Sequence, residues 1–218
     1  MSLTLVSVPI GNPGDITLRA RRTLAECTLV IGEERKPLFR LHRELDLPRP
    51  ENFELLNEHS TPDEVTALAK LCHEQKVALV TDCGTPGFSD PGAHLVKSCR
   101  ELGIPVTANP GASSLTTFIS LLGVPLKRFH FEGFLPRENS ERSQRLKEIS
   151  QIKIPVILMD TPYRLNKLLG ECAQIFDKRS CVLGVNLTKE DEAILTGSVS
   201  QVSKNYDGEK REFLILIY

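Results

Sequence analysis

Three times in its first half the chain passes from a short apolar run into a loop crowded with glycine and proline. The runs 3–8, 77–81 and 105–108 read as strands, and the loops that follow are 9–14, 82–92 and 109–114. The longest, Asp82-Cys83-Gly84-Thr85-Pro86-Gly87-Phe88-Ser89-Asp90-Pro91-Gly92, holds three glycines and two prolines in eleven residues. Such a segment continues neither a helix nor a strand, because glycine opens left-handed dihedrals while proline fixes φ and lacks a donor. Between the strands lie helical patterns: one after Asp15 with Ile16, Ala20 and Leu24 on one face, one opened by the capping box Thr61-Pro62-Asp63-Glu64, and one starting at Asp90-Pro91. Strands alternating with helices at this spacing predict βαβ units and a parallel sheet. Ligands of open α/β sheets bind beyond the carboxyl ends of the strands, where all three loops fall, so a ligand cleft is expected there.

The first half, 1–123, ends with an apolar helix over 115–122 and Gly123; Val124–Arg128 reads as a linker. A second α/β half, 124–218, follows, with strands expected over 129–135, 154–159, 181–187, 193–196 and 213–217. Its helices are expected over 139–150, from a Thr161-Pro162 cap to Phe176, and from Ser198. It holds no copy of the three loops and reads as a domain that closes over the cleft.

Charge excludes one large class. With 27 basic and 28 acidic residues, the chain does not bind nucleic acid by bulk charge, and any such contact must be concentrated locally. Two segments qualify: Arg35, Lys36, Arg40, His42 and Arg43, and the helix carrying Arg142, Arg145 and Lys147. With only nine phenylalanines and three tyrosines in the chain, interleaved aromatics for stacking bases are not expected. None of the six cysteines is spaced C-x-x-C, so no metal site is expected, and they read as reduced thiols of a cytoplasmic protein. The apolar start, Leu3–Ile10, lacks the basic flank and the length of a signal or membrane-spanning segment.

Nucleotide signatures narrow the ligand. There is no G-x-x-x-x-G-K-[ST] string, and in place of G-x-G-x-x-G the first loop offers only Gly11 and Gly14. Glu33 and Glu34 stand where a ribose-binding acid would, but without the glycines a dinucleotide is disfavoured. Proline-rich loops expose carbonyls and donate few N–H groups, which suits an ammonium or a sulfonium better than a phosphate.

The strings Val8-Pro9-Ile10-Gly11-Asn12-Pro13-Gly14-Asp15-Ile16-Thr17-Leu18-Arg19-Ala20, Asp82 to Gly92, Asn109-Pro110-Gly111-Ala112-Ser113-Ser114, Phe131-Glu132-Gly133-Phe134-Leu135-Pro136 and Asp160-Thr161-Pro162-Tyr163-Arg164 run in order along nearly the whole chain. In these the sequence resembles the tetrapyrrole methylases, which use S-adenosylmethionine. It is most similar to the bacterial branch that methylates the 2′-hydroxyl of a cytidine in small-subunit ribosomal RNA. The resemblance implies two α/β domains, an N-terminal one with a mostly parallel sheet and a smaller C-terminal one with a mixed sheet, within a homodimer. It implies S-adenosylmethionine contacts at Pro9, Pro13, Asp82, Gly84, Thr85, Phe88, Ser113 and Ser114, with Thr161, Asn186 and Leu187 contributing from the second domain.

The departures fall on the substrate side. The branch's Ala-Glu-Asp-Thr-Arg is Gly32-Glu33-Glu34-Arg35-Lys36 here, its Ala-Arg-Glu-Leu-Thr-Lys is Gly184-Val185-Asn186-Leu187-Thr188-Lys189, and its His-Glu-His-Asn is Asn57-Glu58-His59-Ser60. The acceptor is thus expected to be ribosomal RNA, with a tetrapyrrole-like small molecule, or a cofactor-binding paralogue without catalysis, as the alternatives. Deprotonating a ribose hydroxyl calls for a positioned base. By position Glu33 is the candidate, with Lys189 or Arg164 orienting the acceptor.

Overall fold

Alternate residues of a strand face opposite ways, and burial on both faces marks only the inner three of the first five strands. The five are β1 (Ser2–Val6), β2 (Leu29–Gly32), β3 (Phe53–Leu55), β4 (Lys76–Leu79) and β5 (Val106–Asn109), all paired in parallel in the order β3-β2-β4-β1-β5. The structure, a computed structural model, describes residues 1–88 and 90–218; Ser89, within the longest loop, lies outside the described residues.

Leu3, Ile31, Val77 and Leu79 pack on one side of this sheet against Val65, Leu68 and Cys72 of α3 (Pro62–Glu74) and Leu95 and Cys99 of α4 (Gly92–Glu101). On the other side Val6, Val30 and Ala78 pack against Ala20 and Leu24 of α1 (Leu18–Glu26) and Leu38 of α2 (Arg35–Glu44). The capping box of α3 forms as the sequence predicts, Thr61 and Glu64 each accepting the other's backbone N–H. Helix α1 starts later than expected. Asp15 ends a short 3₁₀ turn, Pro13–Asp15, the chain then runs extended through Ile16, and the Thr17 hydroxyl caps the helix by accepting from Ala20 N–H at 3.1 Å.

The chain divides into two units, Met1–Ser113 and Ser114–Tyr218, ahead of the expected linker at Val124. The helix α5 (Ser114–Leu121) goes with the second unit, where its one buried side chain, Phe118, packs against Gly184. The second sheet comprises β6 (His130–Gly133), β7 (Val156–Asp160), β8 (Ser180–Val185), β9 (Ala193–Ser198) and β10 (Phe213–Ile217), in the order β6-β7-β10-β8-β9. Only β6 and β7 are parallel, so the sheet is mixed; with five strands it equals the first rather than being smaller. Leu146 and Ile149 of α6 (Asn139–Ser150), Leu165, Leu168 and Cys172 of α7 (Leu165–Ile175), and Val199 and Val202 of α8 (Val199–Asn205) complete its core. Helix α7 begins at Leu165, after a 3₁₀ turn over Pro162–Arg164, and the Thr161 side chain makes no cap bond to it. No helix among the described residues is long and apolar enough to cross a membrane.

Candidate functional site

The three loops of the first unit meet at the carboxyl edge of its sheet and are tied to one another. Past β1, Val8 forms an antiparallel bridge to Gly84, with N–H···O distances of 2.9 and 3.2 Å. Gly84 has φ +79°, a conformation glycine adopts without strain, and this turns the loop after β4 back towards the first. The Thr85 hydroxyl donates to the Ala112 carbonyl of the third loop at 3.0 Å, and so accepts from the buried Ser7 hydroxyl at 2.9 Å. One relay therefore joins the end of the first strand to the second and third loops.

Asp90 shapes the longest loop from within. Its Oδ2 accepts the N–H groups of Gly87 at 2.7 Å and Phe88 at 2.9 Å, and its Oδ1 accepts that of Gly92 at 2.8 Å. These bonds leave the Phe88 ring 51% exposed at the loop's surface. The sequence pattern marks Asp90 only as a helix start and does not single out Ser7. A signal for the wider role of Asp90 exists: an aspartate just after Gly-Phe-Ser and before Pro-Gly is placed to satisfy a loop's N–H groups. Nothing in the sequence marks Ser7 except its place at a strand end.

Of the sequence-predicted cofactor residues in this unit, Pro9, Gly84, Thr85 and Ser113 lie on the bridged parts of the loops. Pro13, Asp82 and Phe88 are exposed on them, and Ser114 begins the next unit. No lysine or arginine occurs in any of the three loops. Carboxylates, hydroxyls, carbonyls and an exposed aromatic ring suit a cationic ligand carrying a sugar and a ring, not a phosphate.

Glu33 follows β2 and reaches the same edge, its Oε1 accepting from Asp82 N–H at 3.1 Å. Together with Glu34, Asn57, Glu58, His59, Asp82, Asp90 and His94 it lines a cavity of about 690 Å³. Burial raises the Glu33 pKa above the ordinary carboxylate value; the Asp82 N–H opposes this, and the nearby charges of Asp82, Asp90 and Glu34 add to it. Burial likewise raises Asp82, with Glu34 adding to the effect and Arg40 opposing it. His59, a turn residue in the sequence pattern, lines this cavity but is exposed.

In the second unit, Arg164 is committed. Its guanidinium donates to the Leu135 carbonyl at 3.2 Å and the Pro136 carbonyl at 2.7 Å, and lies 3.2 Å from the buried Asp160 carboxylate. Arg142, 2% exposed, grips Glu171 with two bonds of 2.7 and 2.8 Å and donates to the Pro136 and Arg137 carbonyls. Two arginines thus clamp the loop between β6 and α6. Asn186 and Leu187 are buried, Asn186 with φ 46° and its amide donating to Asp191 at 2.7 Å. Lys189 is exposed and extends Nζ to 3.5 Å from Asn186 Oδ1, while Thr161 is exposed just past β7.

A family model described as tetrapyrrole (corrin/porphyrin) methylases matches residues 2–203. A Micromonospora olivasterospora protein named ribosomal RNA small subunit methyltransferase I is 36% identical over 93% of this chain, which covers 64% of that relative. A Leptospira biflexa protein of the same name is 33% identical over 99% of this chain and 90% of its own length. Among solved structures, uroporphyrin-III C-methyltransferase from Thermus thermophilus, complexed with S-adenosyl homocysteine, superposes with a TM-score of 0.66 at 16% identity, covering 100% of this chain and 97% of that one.

Proposed function

Because the chain belongs to the tetrapyrrole methylase family of S-adenosylmethionine-dependent methyltransferases, we propose that its methyl acceptor is a ribose 2′-hydroxyl of small-subunit ribosomal RNA. The observation that carries this reading is the pairing of three cation-free loops, tied together by Ser7, Thr85 and Ala112, with a carboxylate at their margin. Relatives named for the ribosomal small subunit support the acceptor.

The donor set fits S-adenosylmethionine, which when bound supplies a methyl group on an already activated sulfonium. Pro9, Pro13, Asp82, Gly84, Thr85, Phe88, Ser113 and Ser114 would hold it, and the family resemblance adds Thr161, Asn186 and Leu187 to the set. The protein's main task is then to hold donor and acceptor in near-attack geometry. Glu33 takes the proton of the acceptor hydroxyl. Its pKa, raised by burial, makes it a stronger base than an ordinary glutamate. Lys189 is the residue proposed to orient the acceptor. Arg164, whose donors go to Leu135 and Pro136, acts instead by holding the loop after β6. A ribosomal acceptor puts the chain in the cytoplasm, as a homodimer in keeping with the family resemblance, and its six cysteines, all thiols, suit that reducing compartment.

The test is transfer of a labelled methyl group from S-adenosylmethionine to small ribosomal subunits from a strain lacking the protein. Label recovered in a 2′-O-methyl nucleoside is the expected result; unlabelled subunits, or label on a base, would overturn the reading. Glu33→Gln should lower kcat by roughly a hundredfold or more, the usual size of a lost base, and leave cofactor affinity unchanged. In the wild type, kcat should rise with pH through the raised Glu33 value and then level.

A further inference from the structure

We propose that the face of the first unit formed by α1 and α2 is the track for the RNA sugar-phosphate backbone, an inference that rests on the ribosomal reading above. Both helices cover the same side of the parallel sheet. Within them stand seven lysines and arginines, Arg19, Arg21, Arg22, Arg35, Lys36, Arg40 and Arg43, against two glutamates, Glu26 and Glu44. In a chain with 27 basic and 28 acidic residues overall, that is strong local segregation.

The structure separates two basic segments that look equivalent in sequence. On α6, Arg142 and Arg145 are consumed by Glu171 and Glu132. On α1 and α2 the cations are exposed, and among the described residues Arg21, Arg22, Arg35, Lys36 and Arg43 have no carboxylate within ion-pair distance; Arg40 has only Glu44, at 3.9 Å. His42 does not belong to the track, being buried with Nδ1 2.8 Å from the Pro48 carbonyl.

Two guanidiniums are also held in place. Arg35 stacks over Phe39 at 5.3 Å and Phe53 at 5.4 Å, Arg49 stacks over Phe39 at 4.1 Å, and the two rings meet edge to face at 5.1 Å. Stacking fixes the guanidinium plane and leaves its N–H fork for an oxyanion, the arrangement that suits phosphate. The neighbouring cavity carries the opposite charge, with Glu33, Glu34, Glu58, Asp82 and Asp90 in its lining. Phosphates are repelled from it and attracted to α2, whose first turn follows Glu34 directly. A strand held by its backbone on this face presents a nucleoside, not a phosphate, to the carboxylates.

The test is equilibrium binding of the full chain to a fluorescein-labelled single-stranded RNA of mixed sequence across a salt series. The triple variant Arg22→Gln, Lys36→Gln, Arg43→Gln should bind at least about tenfold more weakly, and the slope of log K against log salt should fall by roughly 2, about 0.7 for each phosphate no longer neutralised. A matched triple on the opposite side of the sheet, Lys70→Gln, Lys97→Gln, Arg100→Gln, removes the same charge from α3 and α4 and should bind like the wild type. Equal losses in the two triples, or none in the first, would overturn the track. So would wild-type binding to phosphatidylserine vesicles in preference to RNA, which would make the face a membrane surface. Labelled small subunits combined with an unchanged first triple would remove the track and leave the acceptor reading standing. Unlabelled subunits would remove the acceptor reading itself.

Discussion

Asp90 does for the longest loop what a ligand would otherwise have to do: it fixes the backbone before binding. Three N–H groups on one carboxylate, at 2.7, 2.9 and 2.8 Å, set the path from Gly87 to Gly92 and hold up Phe88. Asp90→Ala leaves those groups to water and the loop to many conformations. Preorganisation lost in this way appears as affinity, so calorimetry with S-adenosylmethionine should show a Kd raised at least about tenfold, or ~1.4 kcal/mol. An unchanged Kd would mean that the loop takes its shape from the Val8–Gly84 bridge alone. The acidic cavity obeys a related logic. Glu33 and Asp82 are both pushed up in pKa by burial, with Glu34 raising each further, and a base at the sheet edge gains strength from such crowding of like charge.

Helix α5 shows how an element can be read correctly and assigned to the wrong neighbour. Its apolar run and its Gly123 stop are plain in the sequence, yet its packing partner is Gly184, some distance along the chain. A Cβ at Gly184 would stand 2.8 and 2.9 Å from two carbons of the fully buried Phe118 ring. Gly184→Ala should therefore cost about 1–3 kcal/mol through overpacking, and lower the midpoint of thermal unfolding by several degrees. A variant melting with the wild type would show that the ring can move aside. The ladder of strands and helices was legible because apolar runs, capping boxes and Gly-Pro loops are local signals. Pairings such as Phe118 with Gly184, or Ser7 with Thr85, are not local, and no periodicity announces them. The same holds for arginines: Arg142, Arg145 and Arg43 look alike in sequence, and only the position of Glu171 and Glu132 separates the spent from the exposed.

For the whole molecule, charge has been sorted rather than balanced. The second unit holds three ion pairs with at least one buried or nearly buried partner, Arg142–Glu171, Arg145–Glu132 and Arg164–Asp160. Hydrogen bonds from Arg145 hold Glu132 below the ordinary carboxylate value, and those from Arg142 do the same for Glu171. A carboxyl whose folded pKa is depressed adds stability above its unfolded value and loses it as pH falls through the folded one. Thermal midpoints should thus hold down to pH about 4.5, the ordinary value for these glutamates, and fall below it. Glu132→Gln should shrink that acid-side drop; an unchanged pH profile would show that the pair contributes nothing to it.

The strand order of the first sheet carries a further consequence, for synthesis. β1 lies between β4 and β5, so neither of its neighbours exists when it leaves the ribosome. At 5–20 residues per second, the roughly 75 residues up to β4 take about 4–15 s and the roughly 100 up to β5 about 5–20 s to appear, so both edges of β1 stay unpaired until β4 emerges and one edge until β5 does. The strand that ends in the Ser7 relay is among the first made and the last to be enclosed. The three tied loops therefore cannot assemble until the first unit is complete.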